Sequence, residues 1–238
     1  MTDPDYPIPP HESERLEALR RYGILDTARE ASFDAISRLA AFICATPIAA
    51  VTLVDNDRQW FKATVGLGDI RQTPREQAFC GHTIQGPAVM IVEDASEDAR
   101  FAENALVKGN PHIRFYAGAP LTTSDDQRIG ALCVIDTVPR TLSPGQQAAL
   151  TDLARLVMTQ LELRRTSGAL ADSLREVKAL RDILPTCSYC SNIRNEAGEW
   201  NTLLDYIMDE TTTRFSHGVC PTCAKVHFPN LDLFPANK

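Results

Sequence analysis

Two CxxC pairs, Cys187-Ser-Tyr-Cys190 and Cys220-Pro-Thr-Cys223, stand 29 residues apart near the C-terminus. A segment of about 50 residues seldom buries enough surface to fold unaided, so the stretch behind residue 184 needs a staple. Two pairs of thiolates about 2.3 Å from a shared ion give the tetrahedral geometry of a structural zinc site. Such an ion contributes on the order of 10 kcal/mol of folding free energy at neutral pH. The spacing therefore predicts a structural Zn²⁺ on Cys187, Cys190, Cys220 and Cys223 in a module over 185–230. Four thiolates leave no open coordination position, which argues against Lewis-acid catalysis there. His217 is a substitute ligand or a group that orients a thiolate. Two disulfides or four reduced core thiols are the blander readings. Trp200, Tyr206, Ile207 and Phe215 are the expected apolar core of the module.

Charge and composition narrow the partners. The net charge is -7, and between 187 and 238 four basic residues face six acidic ones. A phosphate-binding surface wants the opposite sign, so nucleic acid is not an expected partner. No run of 18 apolar residues spans a bilayer, and Met1-Thr-Asp-Pro-Asp-Tyr-Pro7 lacks the apolar stretch of a signal peptide. The expectation is a cytoplasmic protein with no membrane contact, in a compartment that favours metal over disulfides.

Along the chain, residues 1–11 read as a tail and 11–22 as a short helix with Leu16 and Leu19 inward. Thr27-Ala-Arg-Glu30 has the form of a capping box opening a helix that carries Phe33, Ile36, Leu39, Ala40 and Ile43. Ile48 to Val54 is apolar and β-branched, a strand covered on both faces, and Gln59 to Val65 returns as its hairpin partner. Thr73-Pro-Arg-Glu76 reads as a second capping box, for a helix containing Phe79-Cys80-Gly81-His82. A short strand over 90–93, a long loop over 94–112, and strands over 113–122 and 128–135 follow. Ser143-Pro-Gly-Gln146 opens the longest helix, to about Leu184. One stripe, Leu150, Ala154, Val157 and Leu161, faces the sheet. Another steps by three and four through Leu153, Leu156, Leu163, Leu170, Leu174, Val177 and Leu184, the pattern of a coiled-coil seam and hence of a homodimer through 153–184. A bent helix folding back at Gly168 is the alternative. The fold class is α+β, an antiparallel sheet flanked by helices.

Five stretches carry a resemblance. They are Arg15-Leu-Glu-Ala-Leu-Arg-Arg-Tyr-Gly-Ile-Leu-Asp26, Leu53-Val-Asp-Asn-Asp-Arg-Gln-Trp-Phe-Lys62, Thr73-Pro-Arg-Glu76 with Phe79-Cys-Gly-His82, His112-Ile-Arg-Phe-Tyr-Ala-Gly-Ala-Pro-Leu121, and Gly130-Ala-Leu-Cys-Val-Ile-Asp136. Together they resemble the GAF domains of bacterial sensor kinases and cyclic-nucleotide-signalling proteins, over 12–163. The tail resembles cysteine-rich segments behind bacterial PAS and GAF sensors. The resemblance implies a GAF/PAS-like sheet, a small ligand of unknown identity, an exit helix over 143–184 and a role in signal transduction without enzymatic activity, with a downstream protein partner. A bilin-attachment cysteine and a cyclic-nucleotide signature are missing, and no kinase or cyclase segment follows residue 184.

The pocket residues expected from these motifs are Trp60, Phe61, Phe79, Cys80, His82, Phe115 and Tyr116, with only one member of each adjacent aromatic pair facing inward. Arg58, Arg114 and His112 are weaker candidates for an anionic ligand or a metal. Cys80 has two readings. It is a small buried hydrophobe beside a pocket-lining His82, or the nucleophile of a thiol redox enzyme similar to GAF-type methionine sulfoxide reductases. Positions two apart on a helix diverge, so Cys80 and His82 do not pair. Cys44 and Cys133 read as core. A dimerisation adaptor without ligand is the third functional reading.

Overall fold

The computed structural model describes residues 6–181, 184–195, 197–210, 216 and 218–231. Two compact units emerge, Met1–Asp172 and Ser173–Lys238. In the first, α1 (Glu12–Arg21) and α2 (Ala31–Cys44) precede β1 (Ile48–Val54), β2 (Arg58–Val65) and the short β3 (Gln72–Pro74). A single 3-10 turn over Arg75–Gln77 leads to α3 (Phe79–Thr83), β4 (Met90–Val92), α4 (Ala105–Lys108), β5 (Phe115–Thr122) and β6 (Arg128–Asp136). The six strands form one antiparallel sheet in the order β3-β2-β1-β6-β5-β4. The α5 helix (Pro144–Arg181) leaves the sheet domain. Its start is a true capping box: the Gln146 amide donates to Ser143 Oγ, and the Ser143 amide donates to Gln146 Oε1 at 3.0 Å.

The sheet is buried on both faces, as the apolar run of β1 predicts: all seven of its residues are buried. Period-two alternation divides them. Ala49, Val51 and Leu53 join Phe33, Leu150 and Val157 on the face covered by α1, α2 and α5. Ile48, Ala50 and Val54 join Phe61, Phe79, Tyr116 and Cys133 on the other. Leu150, Ala154, Val157 and Leu161 of α5 are buried, as their stripe predicts.

Both Thr-x-x-Glu segments differ from the expected caps. Thr27 donates its hydroxyl to the Ile24 carbonyl at 2.7 Å, and α2 begins after Glu30 with no side-chain cap. Lys62 claims Glu30 instead. The β1–β2 pairing shifts register so that Lys62 is the extra residue of a bulge, and its fully buried Nζ donates to Glu30 Oε1 at 2.6 Å, to the Ala28 carbonyl at 2.7 Å and to Thr27 Oγ1 at 3.0 Å. The preference of a buried ammonium for an ionised partner outweighs a cap worth about 1 kcal/mol. Thr73 lies in β3 and caps nothing, because the chain passes through a 3-10 turn before α3.

In the second unit, β7 (Ile193–Arg194) pairs with β8 (Trp200–Asn201), followed by α6 (Leu203–Glu210) and α7 (Pro221–His227). The expected core is corrected here. Trp200 is exposed, Tyr206 and Ile207 are half-buried, and Phe215 lies outside the described residues, as does His217. Only Ile193 and Ala224 are buried hydrophobics among the described residues of this unit. No helix among the described residues is long and apolar enough to cross a membrane.

Burial pushes the Glu30 carboxyl up, but Lys62 and then Arg164 hold it below the ordinary carboxylate range. A depressed folded value means its stabilisation is complete above the unfolded value and is lost as pH falls through the folded one. Glu30→Gln is expected to lower stability by about 2 kcal/mol at neutral pH, less than the ~3–5 kcal/mol of a fully buried pair, because Glu30 keeps part of its surface in water. Urea unfolding checks this: the penalty should shrink on acidification, and Lys62→Met should cost less, since Glu30 retains Arg164 and solvent. A larger loss for Lys62→Met would contradict the account.

Candidate functional site

A cavity of about 260 Å³ opens on the face of the sheet away from α5. The sheet supplies Phe61, Tyr116, Cys133 and Ile135 to its floor, and α3 supplies Phe79 and Cys80. Leu67, Ile70, Leu106 and Ile113 close its apolar sides. Phe79 is fixed between two rings, stacked on Phe101 at 4.1 Å and tilted against Tyr116 at 5.1 Å. No Asp, Glu, Lys, Arg or His lines the cavity among the described residues.

Its polar atoms are few and specific. Gln59 and Thr73 stand opposite each other across the β2–β3 ladder and both line the cavity. Gln59 is 6% exposed, and its Oε1 and Thr73 Oγ1 are buried without any hydrogen-bond partner. Orphaned oxygens are uncommon in folded proteins; these two are closed off behind the cavity lining, so Gln59 and Thr73 must shift slightly before either oxygen can meet a ligand. Deeper in, Tyr116 donates its hydroxyl to Cys80 Sγ at 3.3 Å, with Thr83 Oγ1 2.6 Å from the same hydroxyl. Gly118 makes this possible. A Cβ there would stand 2.2 Å from the Tyr116 hydroxyl and 2.8 Å from Thr83 Oγ1, so only glycine lets the ring lie back along its own strand.

Of the seven expected pocket residues, the structure brings Phe61, Phe79, Cys80 and Tyr116 together. Trp60 and Phe115 are corrections. Alternation turns both to the opposite face, where they pack in the core beneath α1, α2 and α5. His82 is a third. It lies edge-on to Phe101 at 4.7 Å, outside the cavity, and burial and then the Arg100 charge depress its pKa. Arg58 is spent on Asp26 and Asp55, and Arg114 donates to the Val107 and Ile113 carbonyls. The sequence reading missed Gln59, Thr73 and Cys133. Thr73 carried a capping signal that pointed elsewhere, and the alternation that set Phe61 inward also sets Gln59 inward.

The tail cysteines form two local knuckles. Cys187 Sγ accepts from the backbone N–H groups of Cys190 and Tyr189, which lower its pKa. Cys220 Sγ accepts from the Cys223 amide at 3.4 Å, with the same effect. Such contacts favour thiolate, the ligating form. Each pair alone fits half of a metal site. Among the described residues, however, no group of three or more His, Cys, Asp or Glu is gathered to hold an ion.

The GAF domain model matches residues 28–161. A cyclic di-GMP phosphodiesterase of Pseudomonas aeruginosa is 43% identical over 163 residues, 68% of this chain and 28% of that protein. The chain thus spans under a third of that relative's length. The GAF domain from an Acinetobacter phosphoenolpyruvate-protein phosphotransferase is 20% identical over 66% of this chain and 98% of that one, with a TM-score of 0.48. Free methionine-R-sulfoxide reductase from Neisseria meningitidis is 14% identical over 68% of this chain and 96% of that one, also at 0.48. The expectation that this chain has no enzymatic role is corrected by the Pseudomonas relative, which is 43% identical over 68% of the chain and is named as an enzyme.

The Gly118 contact generates a double-mutant prediction. Gly118→Ala alone is expected to cost about 1–3 kcal/mol by overpacking. In a Tyr116→Phe background the 2.2 Å clash is gone while the ring Cζ and Thr83 Oγ1 stay at 2.8 Å, so the same change should cost less by roughly 1 kcal/mol. Chemical denaturation of the four proteins measures the coupling; additive losses would mean that Tyr116 does not lie where it is placed here.

Proposed function

This chain belongs to the GAF domain family, and we propose that it is a signal-transduction sensor whose cavity binds a small neutral molecule. The cavity carries the reading: about 260 Å³ of mostly apolar space with no charged side chain on its wall among the described residues. A ligand with an apolar body suits that lining, and the uncharged polar residues Gln59, Thr73, Gln77 and Asn110 on the wall can receive a polar end. An anion buried there would find no cation to offset its desolvation. The setting suggested by the name of the Pseudomonas relative is cyclic di-GMP signalling, with this domain as the ligand-responsive part. The dinucleotide itself is a poor occupant, being charged and too bulky for the space.

Transmission runs through α5 in this reading. Leu156, Leu163, Leu170 and Leu174 are exposed along one seam, at spacings of a two-stranded coiled coil. A homodimer through 153–184 would cover them, and occupancy of the cavity shifts how the exit helix packs. The tail is proposed to hold a structural Zn²⁺ on Cys187, Cys190, Cys220 and Cys223 and to contact a downstream protein. The paired knuckles and the scant apolar core of the tail support this.

Native mass spectrometry of the full chain tests the cavity: a neutral molecule should co-purify with it and be lost from Ile113→Trp, which fills the space. Cyclic di-GMP should leave the melting temperature unchanged. A rise with the dinucleotide that Ile113→Trp abolishes would refute the neutral-ligand reading. The same spectra report zinc, with one ion per chain expected. For the seam, Leu170→Cys should cross-link as a dimer under mild oxidation, and a monomer throughout would remove the coiled coil.

A further inference from the structure

One buried cation has donors that nothing receives. Arg75 is 2% exposed, and its Nη1 donates to Glu12 Oε1 at 2.6 Å, to the Asp55 carbonyl at 2.9 Å and to the Asn56 carbonyl at 3.2 Å. Its Nε and Nη2 are buried without a hydrogen-bond partner among the described residues. Those two nitrogens form one edge of the guanidinium, a fork whose parallel N–H groups match the two oxygens of a carboxylate. Arg15 makes that bond beside it: its Nε and Nη2 hold Glu12 Oε2 and Oε1 at 2.7 and 2.6 Å. Glu12 is thus shared by two buried guanidinium groups, while Asp55 gives its carboxylate to Arg58. The Glu12 cluster holds two cations and one anion, one positive charge in excess.

The cover over Arg75 is slight. The Tyr6 ring lies 5.1 Å from its guanidinium carbon, a cation–π contact that leaves the N–H fork unbonded. Tyr6 belongs to a strap over 6–10 in which Pro7, Pro9 and Pro10 have no N–H to give. The Tyr6 hydroxyl donates to the Asn56 carbonyl at a long 3.4 Å, and Gln85 Nε2 donates to the Pro7 carbonyl at 3.1 Å. No backbone–backbone hydrogen bond holds the strap among the described residues, and Pro9 alone of its five residues is buried. A segment with so few ties opens at small cost.

We propose that Arg75 is a binding site for a small monocarboxylate, reached when the strap over 6–10 lifts. The two carboxylate oxygens accept from Nε and Nη2, and the single charge cancels the excess of the Glu12 cluster. A phosphate dianion would leave one negative charge over among buried groups. Closed, the strap offers Arg75 only the face of a ring. Open, a charge-assisted pair takes its place, so ligand and strap compete for one guanidinium. The site is distinct from the cavity. Thr73, Gln77 and Ala78 line the cavity, and Arg75, between them in sequence, does not, because its side chain runs to Glu12 and the β1–β2 turn. It stands whatever the cavity holds.

The test titrates the full chain with trifluoroacetate, read by fluorine NMR line broadening, with propionate as competitor. Tyr6→Ala removes the ring and should bind roughly tenfold more tightly than wild type, since the closed strap no longer lowers the competent fraction. Tyr6→Phe keeps the ring and should match wild type. Arg75→Lys in the Tyr6→Ala background keeps the charge but loses the fork, and the gain should vanish. Binding by Tyr6→Ala no tighter than by wild type would overturn the proposal, as would a gain that survives Arg75→Lys. Circular dichroism reports whether the Arg75→Lys protein folds. If it does not, competition in Tyr6→Ala decides: propionate should displace trifluoroacetate at lower concentration than inorganic phosphate does, and the reverse order refutes a carboxylate site.

Discussion

Everything in the sheet domain follows from a sheet that is buried on both faces. With every residue of β1 inside, each strand must sort its side chains between a helical core and a cavity floor, and neighbours in sequence end on opposite sides. Trp60 and Phe115 go to the helices, Phe61 and Tyr116 to the cavity. A slip of one residue would exchange the two sets and fill the cavity with the larger indole. The bulge at Lys62 is the one place where this sorting is broken, and it brings an ammonium under the start of α2, where Glu30 and two neutral oxygens receive it. The helical face therefore gains an ionic tie while the cavity face remains uncharged.

That separation of charge has chemical consequences. The cations near the cavity are held by other partners: Arg58 donates to Asp26 and Asp55 and Arg114 to backbone carbonyls, while Arg75 gives Nη1 to Glu12 and the Asp55 carbonyl and keeps Nε and Nη2 buried without a partner. What remains facing inward is amide, hydroxyl and thiol. Such groups discriminate by hydrogen bonding rather than by charge, and an unpaired buried acceptor costs about 1–3 kcal/mol until a donor arrives.

Much of the fold was legible in the sequence because it rests on periodicity. The run from Ile48 to Val54, the sheet-facing stripe of α5 and the Ser143–Gln146 cap all carry local signals that tertiary contacts agree with. The Thr27 and Thr73 caps were not legible, because their side chains answer to partners distant in sequence: Lys62 in one case, the β2–β3 ladder in the other. The cavity was half legible. Alternation says that one of each aromatic pair points inward but not which, since nothing in Trp60-Phe61 or Phe115-Tyr116 marks the helix-covered face. That Cys80 and Cys133 line one cavity was wholly illegible, since 52 residues lie between them and α3 must first dock on β6.

The tail shows how little burial can be asked to hold a fold. Ile193 and Ala224 are its only buried hydrophobics among the described residues, and together they bring a few kcal/mol of hydrophobic stabilisation at most. Ordering even a score of residues costs far more than that. Two isolated CxxC knuckles do not close the gap by themselves, but each has its first sulfur already facing backbone N–H groups that favour the thiolate. The backbone has thus met part of the cost of presenting anionic sulfur before any ion arrives. A cation binding both knuckles would tie Cys187 to Cys223 across the whole module, closing a loop that apolar contacts leave open. The scarcity of buried apolar side chains among the described residues is thus a physical argument for the metal proposed above.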